Sequence, residues 1–270
     1  MPSPRRVESA RNPLVKQAAA LKARRARDAT GLTLIEGARE VARALAAGVA
    51  VRSLLLCPEL GPEPAALDLL VRDAEAAGAE VAFLSVGAFA RLTLRQGPDG
   101  VAAVAAWQAR QPAALAPGPN PLILVLDGLE KPGNVGALLR TADAAGVDAV
   151  VLTGRGTDLG NPNVIRASMG SVFALPVAVA DGDDARAWLR SLPVRVIAAT
   201  PDAEEPHWTA DYRGGTAIVV GAEDRGLAAA WLEAADRRVA IPMRSRSADS
   251  LNVAVAGAVL LFEAVRQRTA

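Results

Sequence analysis

This chain has few of the residues that most enzymes use for metal-assisted or nucleophilic chemistry. Its 270 residues include one cysteine, Cys57, and one histidine, His207. A single cysteine excludes an intrachain disulfide and any multi-thiolate metal cluster. A single histidine removes the usual zinc-hydrolase ligand sets, Cys–His nucleophiles and Ser-His-Asp triads. His207 lies in Pro206-His-Trp208, a loop-like setting that reads as structural. No apolar run reaches the roughly 18 residues of a membrane span. The amino terminus is basic but lacks the apolar core of a secretory signal. There is no Walker sequence. Gly154-Arg-Gly156-Thr-Asp-Leu-Gly160 has the wrong spacing for a dinucleotide fingerprint, and no acidic residue stands at the expected distance after a matching helix. The expectation is a soluble cytoplasmic protein that uses no metal.

Apolar residues, at 51%, suffice for a sizeable core, and 270 residues allow one large domain or two ordinary ones. Net charge is +1, so the overall balance names no partner. Its distribution says more. Residues 1–30 hold eight basic side chains (Arg5, Arg6, Arg11, Lys16, Lys22, Arg24, Arg25, Arg27) against Glu8 and Asp28. Such a basic arm suits nucleic acid or an anionic membrane; the alternative is a solvated helix face.

Gln111–Pro121 has four prolines in 11 residues and reads as a linker. On both sides of it, strand-like runs alternate with helical patterns. Before it, strands are expected at Leu32–Ile35, Val51–Leu56, Val81–Leu84 and Val101–Ala106, and helices at Ala38–Ala47 and Pro64–Ala77. After it, strands are expected at Leu122–Leu126, Ala149–Leu152, Val194–Ala199, Ala217–Val220 and Arg238–Ile241. Helices are expected there at Val135–Ala145, Asp183–Leu192 and Leu251–Arg268. The pattern predicts an α/β fold: a basic arm with a small α/β domain in 1–110, a linker at 111–121, and a mostly parallel sheet in 122–270.

Three junctions could carry chemistry. Leu126-Asp-Gly-Leu-Glu-Lys-Pro-Gly-Asn-Val-Gly-Ala-Leu-Leu-Arg-Thr-Ala142 runs from a strand into a helix. Asn134 is the expected N-cap, with Arg140 six residues on, a pair suited to an anionic group. Ile218-Val-Val-Gly-Ala-Glu-Asp-Arg-Gly-Leu227 brackets Glu223 with Gly221 and Gly226. Val239-Ala-Ile-Pro-Met243 is followed by Ser250-Leu-Asn252, where Ser250 is the expected helix cap. Strand carboxyl ends and helix amino ends are where open α/β sheets bind ligands. Taken one at a time, these residues also fit plain caps and turns.

Together the three segments resemble the SpoU/TrmH (SPOUT-class) family of RNA 2′-O-ribose methyltransferases. Asn134-Val-Gly-Ala-Leu-Leu-Arg140-Thr-Ala142 is similar to the first family motif and Gly221-Ala-Glu223-Asp-Arg-Gly-Leu227 to the second. Ile241-Pro-Met243 with Ser250-Leu251-Asn252-Val253 is similar to the third. Ser9-Ala-Arg-Asn-Pro-Leu-Val-Lys16 and Leu34-Ile-Glu-Gly37 resemble the RNA-binding domain often fused to it. One departure is the loop Arg244–Asp249, about one residue longer than usual and without the common glycine.

The resemblance implies S-adenosylmethionine bound in a deep carboxyl-terminal trefoil knot and a homodimer that builds the active site. It implies cofactor contacts from Gly221, Ile241, Met243 and Leu251, and roles in catalysis or RNA positioning for Asn134, Arg140, Glu223, Ser250 and Asn252. RNA contacts fall to the eight basic residues of the arm. It points to Arg140 as the base, although a guanidinium normally stays protonated. A phosphate clamp and an unusually basic-competent arginine both remain open roles. The expected RNA is 23S rRNA, with tRNA as the alternative. A non-catalytic RNA-binding protein that keeps the fold is a second alternative, and a nicotinamide-dependent oxidoreductase a distant third.

Overall fold

Short β-branched and aliphatic runs separated by Ala-rich helical segments form two sheets in the computed structural model, which describes residues 5–94, 96–244 and 250–269. Contacts divide the chain into two units, residues 1–108 with 158–174 and residues 109–157 with 175–270.

In the first unit the elements are β1 (Arg5–Val7), α1 (Pro13–Ala20), α2 (Arg24–Thr30), β2 (Leu32–Glu36), α3 (Ala38–Ala46), β3 (Val51–Leu56), α4 (Pro64–Ala76), β4 (Glu80–Leu84), α5 (Val86–Phe89) and β5 (Val101–Ala106). The sheet order is β1-β4-β3-β5-β2, with β5 antiparallel to both neighbours and the other pairs parallel. The expected arm is corrected here. Arg5 pairs with Ala82 on β4, and Val7, Val15, Ala18 and Leu21 enter the core beside Leu34, Leu55, Leu84 and Phe89. Each fully buried aliphatic side chain contributes about 1.5–3 kcal/mol relative to exposure, which anchors residues that charge alone would leave in solvent.

The second unit continues with β6 (Leu122–Asp127), α6 (Pro132–Ala144) and β7 (Ala149–Thr153). The chain then contributes α7 (Pro162–Ala167) and α8 (Ser171–Ala174) to the first unit. There Leu159, Val164, Ile165 and Val172 are buried, Thr33 Oγ1 donates to Gly160 O at 2.6 Å, and Arg43 Nη1 donates to Met169 O at 3.0 Å. The span expected as one continuous domain from 122 onward is thus interrupted in its contacts. It resumes with β8 (Val177–Val179), α9 (Gly182–Arg190), β9 (Arg195–Ala199), β10 (Glu205–Pro206), β11 (Thr216–Gly221), α10 (Ala229–Ala234), β12 (Arg237–Ala240) and α11 (Val253–Thr269). The sheet order is β10-β12-β9-β11-β6-β7-β8, and every pairing is parallel. Strands β6, β7 and β11 are buried almost throughout, as a sheet covered on both faces requires.

The Pro-rich stretch is not a free spacer. Pro112 and Leu115 are buried, the latter in the core of the second unit. Arg268, at the end of α11, donates to the carbonyls of Asn120, Pro121, Tyr212 and Gly214. Helices α6 and α11 approach closely where Gly257 faces Leu138. A Cβ on Gly257 would lie 2.3 Å from Leu138 Cδ2, so a larger residue there would force that side chain to move.

Two expected helix caps are corrected. Helix α6 begins at Pro132, so Lys131 is its N-cap and Asn134 sits inside the first turn. Proline is well suited to the first helical position, where the missing N–H has no partner to lose. At α11 the cap is Asn252, whose Oδ1 accepts from Ala254 N at 3.0 Å, not Ser250.

Candidate active site

The carboxyl ends of the adjacent parallel strands β12, β9 and β11 open onto a cleft of about 850 Å³. Its walls come from Thr200–Glu204 after β9, Gly221–Leu227 after β11, Ile241–Met243 after β12, and Ser250, Leu251 and Val253 at the start of α11. All four expected cofactor residues, Gly221, Ile241, Met243 and Leu251, line it, as do Glu223 and Ser250. Asn134, Arg140 and Asn252 do not.

Gly221 is required by the protein's own backbone. A Cβ there would lie 2.4 Å from the Gly226 carbonyl carbon and oxygen and 2.6 Å from Leu227 N. The loop closes on itself, with Gly226 N donating to Ala222 O at 2.8 Å and Gly226 at φ +64°, in the left-handed region that favours glycine. The tight return presents Glu223 at its apex.

Glu223 joins two helix starts. Its Oε1 accepts from Asn134 Nδ2 at 2.8 Å and from Asn252 Nδ2 at 2.5 Å, and Asn252 Nδ2 also lies 3.3 Å from Asn134 Oδ1. Its Oε2 pairs with the Lys131 ammonium. Together with a further bond from the Val253 backbone, these contacts span α6, the β11 loop and α11. The Lys131 contact, reinforced by Asn134, holds the Glu223 carboxyl below the usual carboxylate range, and Glu223 in turn raises the Lys131 ammonium. Asn134, Glu223 and Asn252, expected from the sequence, are therefore brought together. Lys131 was missed. The only sequence signal for it was its place next to the helix-starting Pro132.

Arg140 stands apart. It is exposed, and its side chain enters no hydrogen bond or ion pair among the described residues. Six residues on a helix amount to about 600° of rotation and about 9 Å of rise, which carries it off the face that Asn134 uses. Asn134 and Arg140 thus leave different faces of α6, and Glu223 hydrogen-bonds Asn134 and not Arg140. Ser250 lines the cleft and is exposed; the atypical loop lies, apart from Arg244, outside the described residues. His207 is buried beside Trp208, its Nδ1 without a partner among the described residues, and it does not line the cleft.

Of the eight basic residues expected to meet RNA, two are committed elsewhere. Arg27 is 5% exposed and pairs with Asp158 at 2.7 Å. Lys22 Nζ donates to the carbonyls of Arg91 and Thr93, each at 2.8 Å, and burial lowers its pKa. Arg5, Arg6, Arg11, Lys16, Arg24 and Arg25 remain exposed. Among the described residues no group of His, Cys, Asp and Glu could hold a metal ion, and no helix is long and apolar enough to cross a membrane.

The chain is similar to known proteins over nearly its whole length. The SpoU rRNA methylase family model matches residues 121–262, and that of an MRM3-like substrate binding domain matches residues 12–103. The chain is 32% identical over 258 residues to the 23S rRNA (guanosine(2553)-2′-O)-methyltransferase RlmP of Bacillus subtilis, covering 96% of this chain and 98% of that protein. A solved RNA 2′-O ribose methyltransferase is 44% identical with a TM-score of 0.84, covering 98% of this chain and 100% of the other. An AdoMet-bound rRNA methyltransferase from Sinorhizobium meliloti is 32% identical with a TM-score of 0.89, covering 97% of each chain. With a family model spanning more than half of its length and both halves of the molecule accounted for, the chain belongs to the SpoU rRNA methylase family.

Proposed function

We propose that this protein transfers a methyl group from S-adenosylmethionine to a ribose 2′-hydroxyl of RNA, with 23S rRNA as the substrate. The observation that carries the reading is the position of Glu223, which lines the cleft and also fixes Asn134 and Asn252 beside it.

The cleft fits the cofactor. Its volume falls within the roughly 300–1,000 Å³ range of small-ligand sites. Leu227, Ile241, Met243 and Leu251 supply apolar wall for an adenosine. Ile241, Met243 and Leu251 enter no backbone hydrogen bond among the described residues, leaving main-chain donors and acceptors for its polar edges. When bound, the cofactor supplies an electrophilic methyl on a sulfonium. The chain must place the 2′-oxygen in line with that methyl and receive its proton. Glu223 is a weak base, because Lys131 and the two amides favour its charged form; it serves as a positioning residue. Asn134, whose amide is held by that carboxylate, offers its second Nδ2–H to the ribose, and Asn252 fixes Glu223 from α11. Arg140 contacts the RNA at the reacting nucleotide, either clamping its phosphate or passing on the proton.

This reading includes a homodimer and a deep trefoil knot in the second unit. Arg140 is exposed and lies outside the cleft lining, so its side chain can meet the cofactor cleft of a second copy. Val255 and Phe262, seven residues apart on one face of α11, are each 49% exposed and offer apolar surface for that copy. Acting on ribosomal RNA, the protein would work in the cytoplasm.

The test is calorimetric titration with S-adenosylhomocysteine in chelator, followed by transfer of labelled methyl to 23S rRNA and mapping of the modified ribose. Binding with incorporation at one 2′-hydroxyl is expected, from a species that sediments as a dimer. No cofactor binding removes the methyltransferase reading, and label in tRNA alone redirects the substrate.

A further inference from the structure

In the first unit a second, smaller cavity of about 330 Å³ opens where the carboxyl ends of three adjacent parallel strands meet, β1, β4 and β3. Its lining combines a ring, a guanidinium and two carboxylates: Phe83, Arg6, Glu8 and Glu59. Arg6 and Phe83 are paired in register on neighbouring strands, so their side chains rise from the same face of the sheet. The wall is fixed from behind. Ser85 N donates to Val7 O at 3.1 Å, and Ser85 Oγ donates to Glu8 O at 2.8 Å and accepts from Ala88 N at 3.3 Å. On the other side the Cys57 thiol donates to Glu59 Oε2 at 3.5 Å, orienting a carboxylate whose Oε1 takes no hydrogen bond among the described residues. The Glu8 side chain likewise has no partner among them.

We propose that this cavity is a nucleobase pocket that holds one unpaired guanine of the substrate RNA; the proposal rests on the RNA methyltransferase reading of the cleft in the second unit. Three features select this ligand. The volume lies at the small end of ligand sites and suits a single base better than a dinucleotide. A half-buried Phe83 with Arg6 alongside gives the flat, cationic stacking surface on which splayed-out RNA bases rest. The carboxylates repel phosphate, so the backbone must stay outside, and they are acceptors only. Guanine alone among the four bases presents two adjacent donors, N1–H and the N2 amino group, that one carboxylate can accept together. Adenine and cytosine present a donor beside an acceptor, and the uracil N3–H is flanked by two carbonyls that a carboxylate would repel. Glu59, at the mouth and oriented by Cys57, is the residue assigned to that edge, with Phe83 beneath the ring.

The test uses the full chain saturated with S-adenosylhomocysteine, so that the methyl-transfer cleft is occupied. Fluorescence anisotropy would compare single-stranded RNA hexamers of uridine carrying one central guanosine, inosine, adenosine or cytidine. The guanosine hexamer is expected to bind about tenfold more tightly than the others, with inosine, which lacks the N2 amino group, among the weak ones. Glu59→Gln should abolish that preference while changing uridine binding less than twofold, and Phe83→Ala should weaken the guanosine hexamer about tenfold. Equal affinity for all four hexamers, or a preference that survives both substitutions, overturns the proposal. Calorimetry of S-adenosylhomocysteine on each variant keeps this failure distinct, because loss of cofactor binding would instead count against the methyltransferase reading.

Discussion

Arg27 in the first unit and Arg140 in the second are the same residue type on helices of the same chain, yet their surroundings are opposite. Arg27 donates four hydrogen bonds, two to the Asp158 carboxylate and one each to the carbonyls of Leu21 and Lys22, and it is 5% exposed. Arg140 is exposed and its guanidinium donates to nothing among the described residues. A cation taken out of water must have its donors satisfied inside the protein, so Arg27 is structural. An arginine left in water with its fork open can recognise phosphate or ribose. Burial, not charge or position in a motif, separates the two.

The largest expected effect sits at the open arginine. Arg140→Ala should lower single-turnover methyl transfer by about 10²–10⁴-fold, the range for loss of a group acting on the proton or on the reacting nucleotide. S-adenosylhomocysteine affinity should stay within a few-fold, since Arg140 does not line the cleft. Near-normal turnover in the variant would erase the distinction drawn here.

Next in size is the closed arginine. Arg27→Ala leaves Asp158 without its bidentate partner and two carbonyls without donors, and should destabilise the protein by about 3–5 kcal/mol. Urea unfolding would read this as a lower midpoint, with cofactor affinity unchanged in the folded protein. If Arg27→Ala instead weakened RNA binding at full stability, Arg27 would belong with the RNA-contacting residues after all.

The smallest effect concerns a partly open ion pair on α11. Arg266, with help from Gln267, lowers the Glu263 carboxyl to about 2 from its ordinary value of 4.5. A carboxylate with a depressed folded pKa contributes stability that is complete above the unfolded value and is lost as pH falls from about 4.5 toward 2. Arg266 is 63% exposed, so solvent screens the pair and the contribution should be about 0.2–1 kcal/mol. Glu263→Gln should flatten the pH dependence of the unfolding midpoint in that window only. An unchanged slope would mean the pair is too well solvated to count.

Local pattern made much of the fold legible. Val51–Leu56 and Val101–Ala106 form strands with the bounds their apolar runs predict, because a buried strand is written into consecutive residues. The arm was misread because Arg5 and Arg6 flank a single core residue, Val7, whose strand pairing depends on a segment over 70 residues away. Asp158–Ala174 was unassigned for the same reason. A glycine there answers to a distant neighbour: a Cβ on Gly160 would lie 2.5 Å from the Trp107 ring.

At the site, the family motifs, which are short and local, were what pointed to Asn134, Glu223 and Asn252 and to Gly221, Ile241, Met243 and Leu251; the structure lines one cleft with the last four and joins the first three by hydrogen bonds. The sequence could not name Lys131 as the partner of Glu223, since they are 92 positions apart and meet only when β6 and β11 lie side by side in the sheet. Nor could it separate Arg27 and Lys22 from their exposed neighbours, or show that Gly221 is needed by the loop's own backbone. By itself the sequence determined the alternation of elements, the family motifs and the chemical types at the site, all of which are short-range or compositional. The tertiary structure decided which charges are buried, which amides share one carboxylate and which arginine stays open, because burial and pairing depend on residues that only folding brings together.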